Sequence, residues 1–324
     1  MSDFAPTASW ERLRQRAALL HRLRTFFNER GFLEVETPLL SADTVVDRHL
    51  DPMQLLLPKG SDAASAQPMW LQTSPEFGMK RMLAAGAEAI YQVTRAFRCD
   101  EQGSLHNPEF TIAEWYRVGD GLRAGMDLLA ELASTLLATS DVKKVAYGEA
   151  FQRHAGVDPH RADVSALRAA AASHEIAIPV GFENVDRDHW LDLLLVGCVE
   201  QHLGRDAPTI VYDYPANQAM LACVRDADPP VAERFELYVD GVELANGYHE
   251  LLDAAELRRR NARANEQRRA DGKPTLPESS RLLAAMDHGL PGCCGVALGF
   301  DRLVMAATDA KDIREVIAFP FDLA

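Results

Sequence analysis

The chain has 324 residues, 47% hydrophobic and 25% charged, a composition that suits a large buried core and excludes a disordered chain. Its start, MSDFAPTASWERLRQR, has no apolar run behind basic residues, and no window approaches the roughly 18 uninterrupted apolar residues of a membrane span, so a cytoplasmic protein without a membrane partner is expected. Five cysteines without a C-x-x-C pair argue against a disulfide framework and a zinc knuckle, and a net charge of −14 disfavours general nucleic-acid binding while leaving room for a local basic patch.

Residues 9–30 carry Trp10, Leu13, Ala17, Leu20, Leu23 and Phe27 at helical spacing, with Ser9 placed to cap the start and Gly31 to stop the helix. The run GFLEVETPLL alternates Phe32, Glu34 and Glu36 against Leu33, Val35 and Thr37, which predicts a strand ended by Pro38. Residues 43–68 read as irregular and polar. AIYQVTRAFRC and FTIAEWYRVG are strand-like runs joined by a loop from Asp100 to Glu109, so a long antiparallel hairpin is expected; period two puts Phe110, Ile112, Glu114 and Tyr116 on one face. From about residue 121 to 205 the chain is rich in Ala and Leu at helical spacing, without a linker or second domain boundary. ERFELYVDGVEL, residues 233–244, is a hairpin signal with Asp240-Gly241 as its turn; the turn pairs Val239 with Val242 and Tyr238 with Glu243, and makes Glu236 a same-face neighbour of Glu243. Residues 253–273 predict a basic helix, and GVALGFDRLVMAA a buried strand that turns directly into a helix at Asp301 and Arg302. The vicinal Cys293 and Cys294 read as packed thiols.

There is no G-x-x-x-x-G-K-[ST], no G-x-G-x-x-G after a strand, no H-E-x-x-H and no G-x-S-x-G, so any nucleotide must be held by something other than a phosphate loop. Arg98, at a strand end, has Asp100 as its default partner. Arg302 carries more information, because a cation in the first turn of a helix opposes the helix dipole and gains when an anion is bound nearby. Glu236 and Glu243 are either a solvated strand face or a pair of like charges joined by a cation; magnesium is the natural choice, since it favours carboxylates together with substrate phosphates. With an aromatic platform at Phe110, these groups describe a nucleoside triphosphate with its metal and base.

GFLEVETPLL, FRCDEQGSLHNPEFTIAEWYR and GVALGFDRLVMA resemble, in order, the three signature motifs of class II aminoacyl-tRNA synthetases. The likeness to the lysyl branch extends through TSPEFGMKRML and FELYVDGVELANGYHEL and covers most of the chain. It implies an α+β fold, a catalytic domain with a mainly antiparallel sheet flanked by helices. Lysyl-tRNA synthetases carry an anticodon-binding domain ahead of the first motif, which here begins at Gly31 and leaves no room for one. In both length and motifs the chain is similar to the elongation factor P lysine ligases, truncated paralogues of those synthetases, so a single catalytic domain over residues 1–324 is expected. Ala297 replaces a glycine of the lysyl G-x-G-x-G-x-D-R pattern, which puts a methyl in the floor of the amino-acid pocket and suggests a substrate shaped differently from α-lysine. Asp100 stands where the family has glutamate, with Glu101 as the alternative contact.

Carried over residue by residue, the resemblance implies Arg98 and Arg302 as catalytic residues. Arg98 would meet the ATP α-phosphate and the transferring carboxylate, with Cys99 and Asp100 toward the adenine side, and His106 and Asn107 in the phosphate and metal region. Phe110 would stack on the adenine, with Arg302 on its other face or toward the γ-phosphate, while Leu244 and Gly299 line the nucleotide and Glu236 and Glu243 hold magnesium. Ser74, Pro75, Glu76 and Glu114 would meet the near amine of the amino acid; Tyr116, Asn246, Tyr248 and Glu250 the far ammonium. Strict alternation turns Asn246, Tyr248 and Glu250 away from the face of Glu243, so a bend or bulge near Asn246-Gly247 is required. The implied activity uses ATP and magnesium to activate (R)-β-lysine or lysine as an adenylate, and passes it to the ε-amino group of a lysine on elongation factor P. A homodimer is implied by the first motif, which builds the family interface. Charging of a tRNA or small RNA, and a catalytically silent regulatory paralogue, are the rival readings; the second would have lost the arginines or metal acids that are present here. The helix with Arg258, Arg259, Arg260, Arg263, Arg268 and Arg269 is the candidate docking face for the acceptor, unless it is a self-paired solvated face.

Overall fold

The computed structural model describes residues 4–59, 62–182 and 185–324. In chain order its elements are α1 (Trp10–Glu29), β1 (Leu33–Glu34), β2 (Leu40–Ser41), β3 (Gln54–Lys59), β4 (Asp62–Leu71), α2 (Glu76–Ala84), β5 (Ala89–Phe97) and β6 (Glu109–Val118). Next come α3 (Leu122–Leu137), β7 (Lys143–Ala146), α4 (Tyr147–His154), α5 (Val164–Ser173), α6 (Arg187–Leu194), β8 (Thr209–Pro215), β9 (Val224–Arg225), β10 (Val231–Val239) and β11 (Val242–His249). Then follow α7 (Ala254–Ala270), α8 (Arg281–Gly289), β12 (Cys293–Gly299) and α9 (Phe300–Thr308). Contacts divide the chain into two compact units, one of Met1–Gly119 with Leu251–Ala324, the other of Asp120–Glu250. Both are α+β, and strand pairing is mostly antiparallel, with parallel pairs at β1–β5 and β7–β8.

In the first unit the strand order is β1-β5-β6-β12, beside a three-stranded sheet β2-β4-β3. Helix α1 begins where expected: the Ser9 hydroxyl accepts from the Arg12 amide at 3.2 Å, and Gly31, at φ +75°, lets the chain turn away after the last turn. Its buried seam is Leu19, Leu23, Phe26 and Phe27, whereas Trp10 is 68% exposed. Phe27 stacks on Tyr91 at 4.7 Å and packs against Trp115 at 5.1 Å; burial of each such side chain contributes about 1.5–3 kcal/mol. The strand expected at 31–40 shrinks to the two pairs Leu33 with Ile90 and Glu34 with Tyr91. Residues 43–68, expected to be irregular, contain most of the β3–β4 hairpin. Pro58 interrupts its alternation and the register breaks between Leu57 and Lys59, so the period-two signal is lost there.

The second unit orders its strands β11-β10-β8-β7, with β9 on β10. Helix α4 supplies Tyr147 and Phe151 and helix α6 supplies Trp190, Leu191 and Leu194, which cluster with Tyr214 of β8 in a core held entirely within this unit. The β10–β11 hairpin turns through Asp240 at φ +51° and Gly241 at φ +78°, the left-handed pair that a two-residue turn needs, with the predicted pairs Val239–Val242 and Tyr238–Glu243. Among the described residues no helix is long and apolar enough to cross a membrane.

Candidate active site

Strand β6 in the first unit presents one functional face. Register places Ala96 beside Phe110, Gln92 beside Glu114 and Ile90 beside Tyr116 on the β5 side. On the β12 side Gly299, Ala297 and Gly295 lie opposite Ile112, Glu114 and Tyr116. Directly paired residues share a face, so β12 contributes only one hydrogen and one methyl next to the two polar side chains, and a second hydrogen opposite Ile112. Glu114 is 1% exposed, and the Tyr116 hydroxyl donates to its Oε1 at 2.6 Å. Ala297 is the residue directly opposite this carboxylate.

The α2 end supplies a second acid. Pro75 is the N-cap of α2, and the Ser74 hydroxyl accepts from the Glu76 amide at 3.3 Å. Glu76 is buried and ion-paired one turn on with Lys80, whose ammonium lies 5.9 Å from the Tyr116 ring centroid. Lys80 was not anticipated; its signal is the E-x-x-x-K spacing in EFGMK, which places opposite charges on one helix face.

The loop from Arg98 to Glu109 is built from backbone contacts. The Arg98 amide donates to Pro108 O at 2.9 Å and the Cys99 amide to Asp51 O at 2.8 Å. Burial, then the nearby Asp100 and Asp51, push the Cys99 thiol up. The Arg98 guanidinium lies 5.0 Å over the Phe110 ring and 3.6 Å from Glu101; its pairing with Asp100, the default expectation, is replaced by Glu101. Asp100 is exposed at φ +60°, where a short acid is tolerated better than a long one, which accounts locally for aspartate at this position. The buried Nε of Arg98 has no hydrogen-bond partner among the described residues.

Asp301 fixes the strand-to-helix junction. It is 2% exposed, accepts from the Thr111 amide at 2.7 Å and pairs with Arg16 at 2.6 Å, so the start of α9 is tied to β6 and α1. Arg302 then reaches the loop, where its Nε donates to Leu105 O at 3.3 Å and its Nη2 to His106 Nε2. His106 is held below the usual histidine range by burial and by Arg302, which keeps the ring neutral and Nε2 an acceptor. Asn107 faces inward: its amide donates to Glu109 O at 2.6 Å and its carbonyl accepts from the Phe321 amide at 2.9 Å, so this side chain shapes the loop.

In the second unit the required irregularity exists, two residues before its expected place. Register shifts between Leu237 and Tyr238, which leaves Leu244 as the extra residue of β11. Glu236 then lies opposite Asn246 and Arg234 opposite Tyr248, so Glu243, Asn246 and Tyr248 share the face of Glu236. Gly247 faces the other way, where an added Cβ would come within 2.4 Å of the Phe235 ring, so only glycine fits. Glu250 is 1% exposed and bridges to Ala222. The carbonyl oxygen of the Asn246 side chain, Oδ1, is buried without a partner among the described residues.

Glu236 is less open than a bare acid pair suggests. Its Oε2 accepts from the hydroxyls of Tyr214 and Tyr238, and its Oε1 from Arg234. Burial opposes the charge of Arg234, but Glu236 and then Tyr248, Tyr214 and Glu243 outweigh it and hold its pKa well above the ordinary arginine range. Arg234 went unnoticed in the sequence, although E-R-F-E places it on the face of Glu236. Glu243, at the start of β11, is the half-buried member of the acid pair.

Three of the six arginines named on the basic helix are ion-paired at its surface. Arg258 pairs with Asp287, and Arg259 and Arg260 with Glu256. Arg268 is 1% exposed and donates to Asp47 O, Leu50 O, Pro274 O and Asp51, which makes it a core residue; this corrects its place on a docking face. Arg263 and Arg269 remain on the surface.

Comparison with known proteins adds a lineage to this geometry. A family model described as tRNA synthetases class II (D, K and N) matches residues 3–323. The chain is similar to curated proteins named elongation factor P–(R)-β-lysine ligase. That of Edwardsiella ictaluri is 46% identical over 324 residues, 100% of this chain and 99% of the relative. That of Yersinia enterocolitica is 46% identical over 320 residues, 97% and 98% of the two chains, and that of Klebsiella pneumoniae 46% over 323 residues, 100% and 99%.

Proposed function

The chain belongs to the class II tRNA synthetases of the D, K and N type, and from that premise we propose that it is an ATP-dependent ligase that activates (R)-β-lysine, or lysine, and transfers it to the ε-amino group of a lysine on elongation factor P. The amino acid and the acceptor follow from the names of relatives similar end to end. The chemistry follows from the residues. The amino-acid carboxylate attacks the α-phosphorus of ATP, pyrophosphate leaves, and the acceptor amine then displaces AMP from the acyl carbon. Positioning and charge neutralisation are the protein's part.

The observation that carries the reading is the buried, unpartnered Nε of Arg98. A buried donor left unmade costs about 1–3 kcal/mol, so its position suits an acceptor brought by a ligand, here the α-phosphate and the transferring carboxylate. Asn246 offers the complement, a buried acceptor suited to an ammonium. We assign the adenine to Phe110 and Arg302, with Cys99, Asp100, Leu244 and Gly299 around the nucleotide; His106 orients Arg302, and Asn107 supports the loop. Ser74, Pro75, Glu76 and Glu114 are assigned to the near amine, and Tyr116, Asn246, Tyr248 and Glu250 to the far ammonium, with Ala297 beneath. Magnesium is assigned to Glu243 and Glu236. Glu243 is the more open carboxylate, and Oε1 of Glu236, with Arg234 as its single donor among the described residues, keeps a lone pair. Bound magnesium supplies positive charge to the phosphate oxygens. The reading includes one catalytic domain over residues 1–324, a homodimer and a cytoplasmic location.

Purified protein with ATP, magnesium and (R)-β-lysine should raise the mass of elongation factor P by one lysyl unit and leave tRNA unacylated. Robust tRNA acylation without a change in the mass of elongation factor P would overturn the proposal.

A further inference from the structure

Three side chains of the second unit outside that assignment converge on one point. Cys223 precedes β9, Glu233 lies near the start of β10 and His249 ends β11. The backbone fixes all three: the Cys223 amide donates to His249 O at 2.9 Å, and the Glu233 amide to Cys223 O at 3.0 Å. Their ligand atoms lie within 4.8 Å of one another. Cys223 Sγ is 3.2 Å from Glu233 Oε2 and 3.2 Å from His249 Nδ1, and that same nitrogen contacts the same carboxylate oxygen.

The shared nitrogen decides the chemistry. A relay from nucleophile to base to acid uses opposite nitrogens of the imidazole, whereas here thiol and carboxylate both meet Nδ1. Burial and the Glu233 carboxylate also push the Cys223 thiol up to about 12, the reverse of an activated nucleophile. A triangle of sulfur, nitrogen and oxygen atoms is instead the arrangement of a chelate. Zinc bonds of about 2.0–2.3 Å in a tetrahedron give ligand-to-ligand edges of roughly 3.3–3.6 Å. The two edges at sulfur, both 3.2 Å, already approach that range, and the Glu233–His249 edge has to open.

We propose that Cys223, Glu233 and His249 bind one borderline-soft divalent metal ion of the zinc class, with water in the fourth position. Cys223 gives its thiol proton to solvent as the sulfur–metal bond forms, the Glu233–His249 hydrogen bond is exchanged for a bond from each to the metal, and the proton of the neutral ring resides on Nε2. Thiolate and carboxylate neutralise the dication. Arg225 holds the other oxygen of Glu233 at 2.9 Å and is itself held by Asp213 at 2.6 Å, an outer contact of the kind that orients a ligating carboxylate. Thiolate and imidazole select zinc-class ions over magnesium, so this site is chemically separate from the one assigned to Glu236 and Glu243. His249 stands between Tyr248 and Glu250 and points to the opposite side of the chain, so the ion would clamp the strand end that carries those two residues.

The test uses the full chain, stripped by a chelator and titrated with cobalt(II). One equivalent should produce a near-ultraviolet thiolate-to-cobalt charge-transfer band with tetrahedral visible bands, and zinc should displace it and protect Cys223 from alkylation in peptide mapping. Cys223→Ser should remove the band and His249→Gln should weaken binding at least about 100-fold, beyond the range for loss of an outer contact. Cys99→Ser should leave the titration unchanged. Absence of the band in the parent chain, absence of protection at Cys223, or persistence of the band in Cys223→Ser would each overturn the proposal. None of these readouts requires ligase activity, so failure here and failure of the ligase reading are distinguishable.

Discussion

His106 can accept from Arg302 only while its ring is neutral, and that condition makes this contact sensitive to pH. Burial and the Arg302 charge keep its pKa below the ordinary value of about 6.5, with Glu101 opposing and Arg98 reinforcing them. The unfolded chain therefore takes up this proton before the folded one, and the contribution to stability, complete above about pH 6.5, is lost as pH falls through the lowered folded value. Adenylate formation should show an acid limb in the same window as His106 and Arg302 become like charges, and His106→Gln, which keeps an acceptor that does not titrate, should flatten it. A limb unchanged in that variant assigns it to another group. At Glu250, 1% exposed, loss of charge should act on the amino acid alone: Glu250→Gln should weaken amino-acid binding by about 1.5–3 kcal/mol in calorimetric titration and spare ATP affinity. A parallel fall in both affinities would make Glu250 structural.

The extra residue of β11 sets what that strand presents. Side chains alternate with period two, and with Leu244 outside the pairing Asn246 and Tyr248 fall on the face of Glu236; one further residue inserted after Leu244 should turn them to the opposite face, whereas a substitution there keeps the count. Insertion of one alanine after Leu244 should abolish amino-acid-dependent pyrophosphate exchange while Leu244→Met retains most of it; exchange that survives the insertion would remove the bulge from the site. The hairpin itself was legible, because Asp-Gly between alternating runs is a local signal, and so was the face of Phe110, Glu114 and Tyr116. The place of the bulge was off by two residues because packing of Phe235 over Gly247, a contact across strands, helps fix the register. Cys223, Glu233 and His249 were invisible for a similar reason: they stand 10 and 16 residues apart and meet only through strand pairing. Helix α7 shows the converse, a conspicuous charge run whose roles differ residue by residue. Arg268→Met should cost about 3–5 kcal/mol in thermal or urea unfolding because it strips partners from buried carbonyls and from Asp51, while Arg263→Glu and Arg269→Glu should stay within about 0.5 kcal/mol. Arg263 and Arg269 can therefore report on acceptor docking without loss of stability.

At the level of the whole molecule the chain order is unusual, because the second unit, Asp120–Glu250, interrupts the first. The core of Tyr147, Phe151, Trp190 and Tyr214 is closed by a continuous segment, whereas β6 acquires β12 only after residue 293. Synthesis runs from the N-terminus at about 5–20 residues per second, so the interval from Val118 to Cys293 is one of roughly 10–35 seconds during which the edge of β6 lacks that partner. On the ribosome, then, the residues of the inserted unit's core are all synthesised before β12, while the strand that bears Phe110, Glu114 and Tyr116 waits for that partner. An exposed edge is a liability for misassociation. The length of time for which this edge stays unpaired during synthesis is therefore set by the position of β12 in the chain, and moving the β12–α9 segment ahead of residue 120 by circular permutation should shorten it.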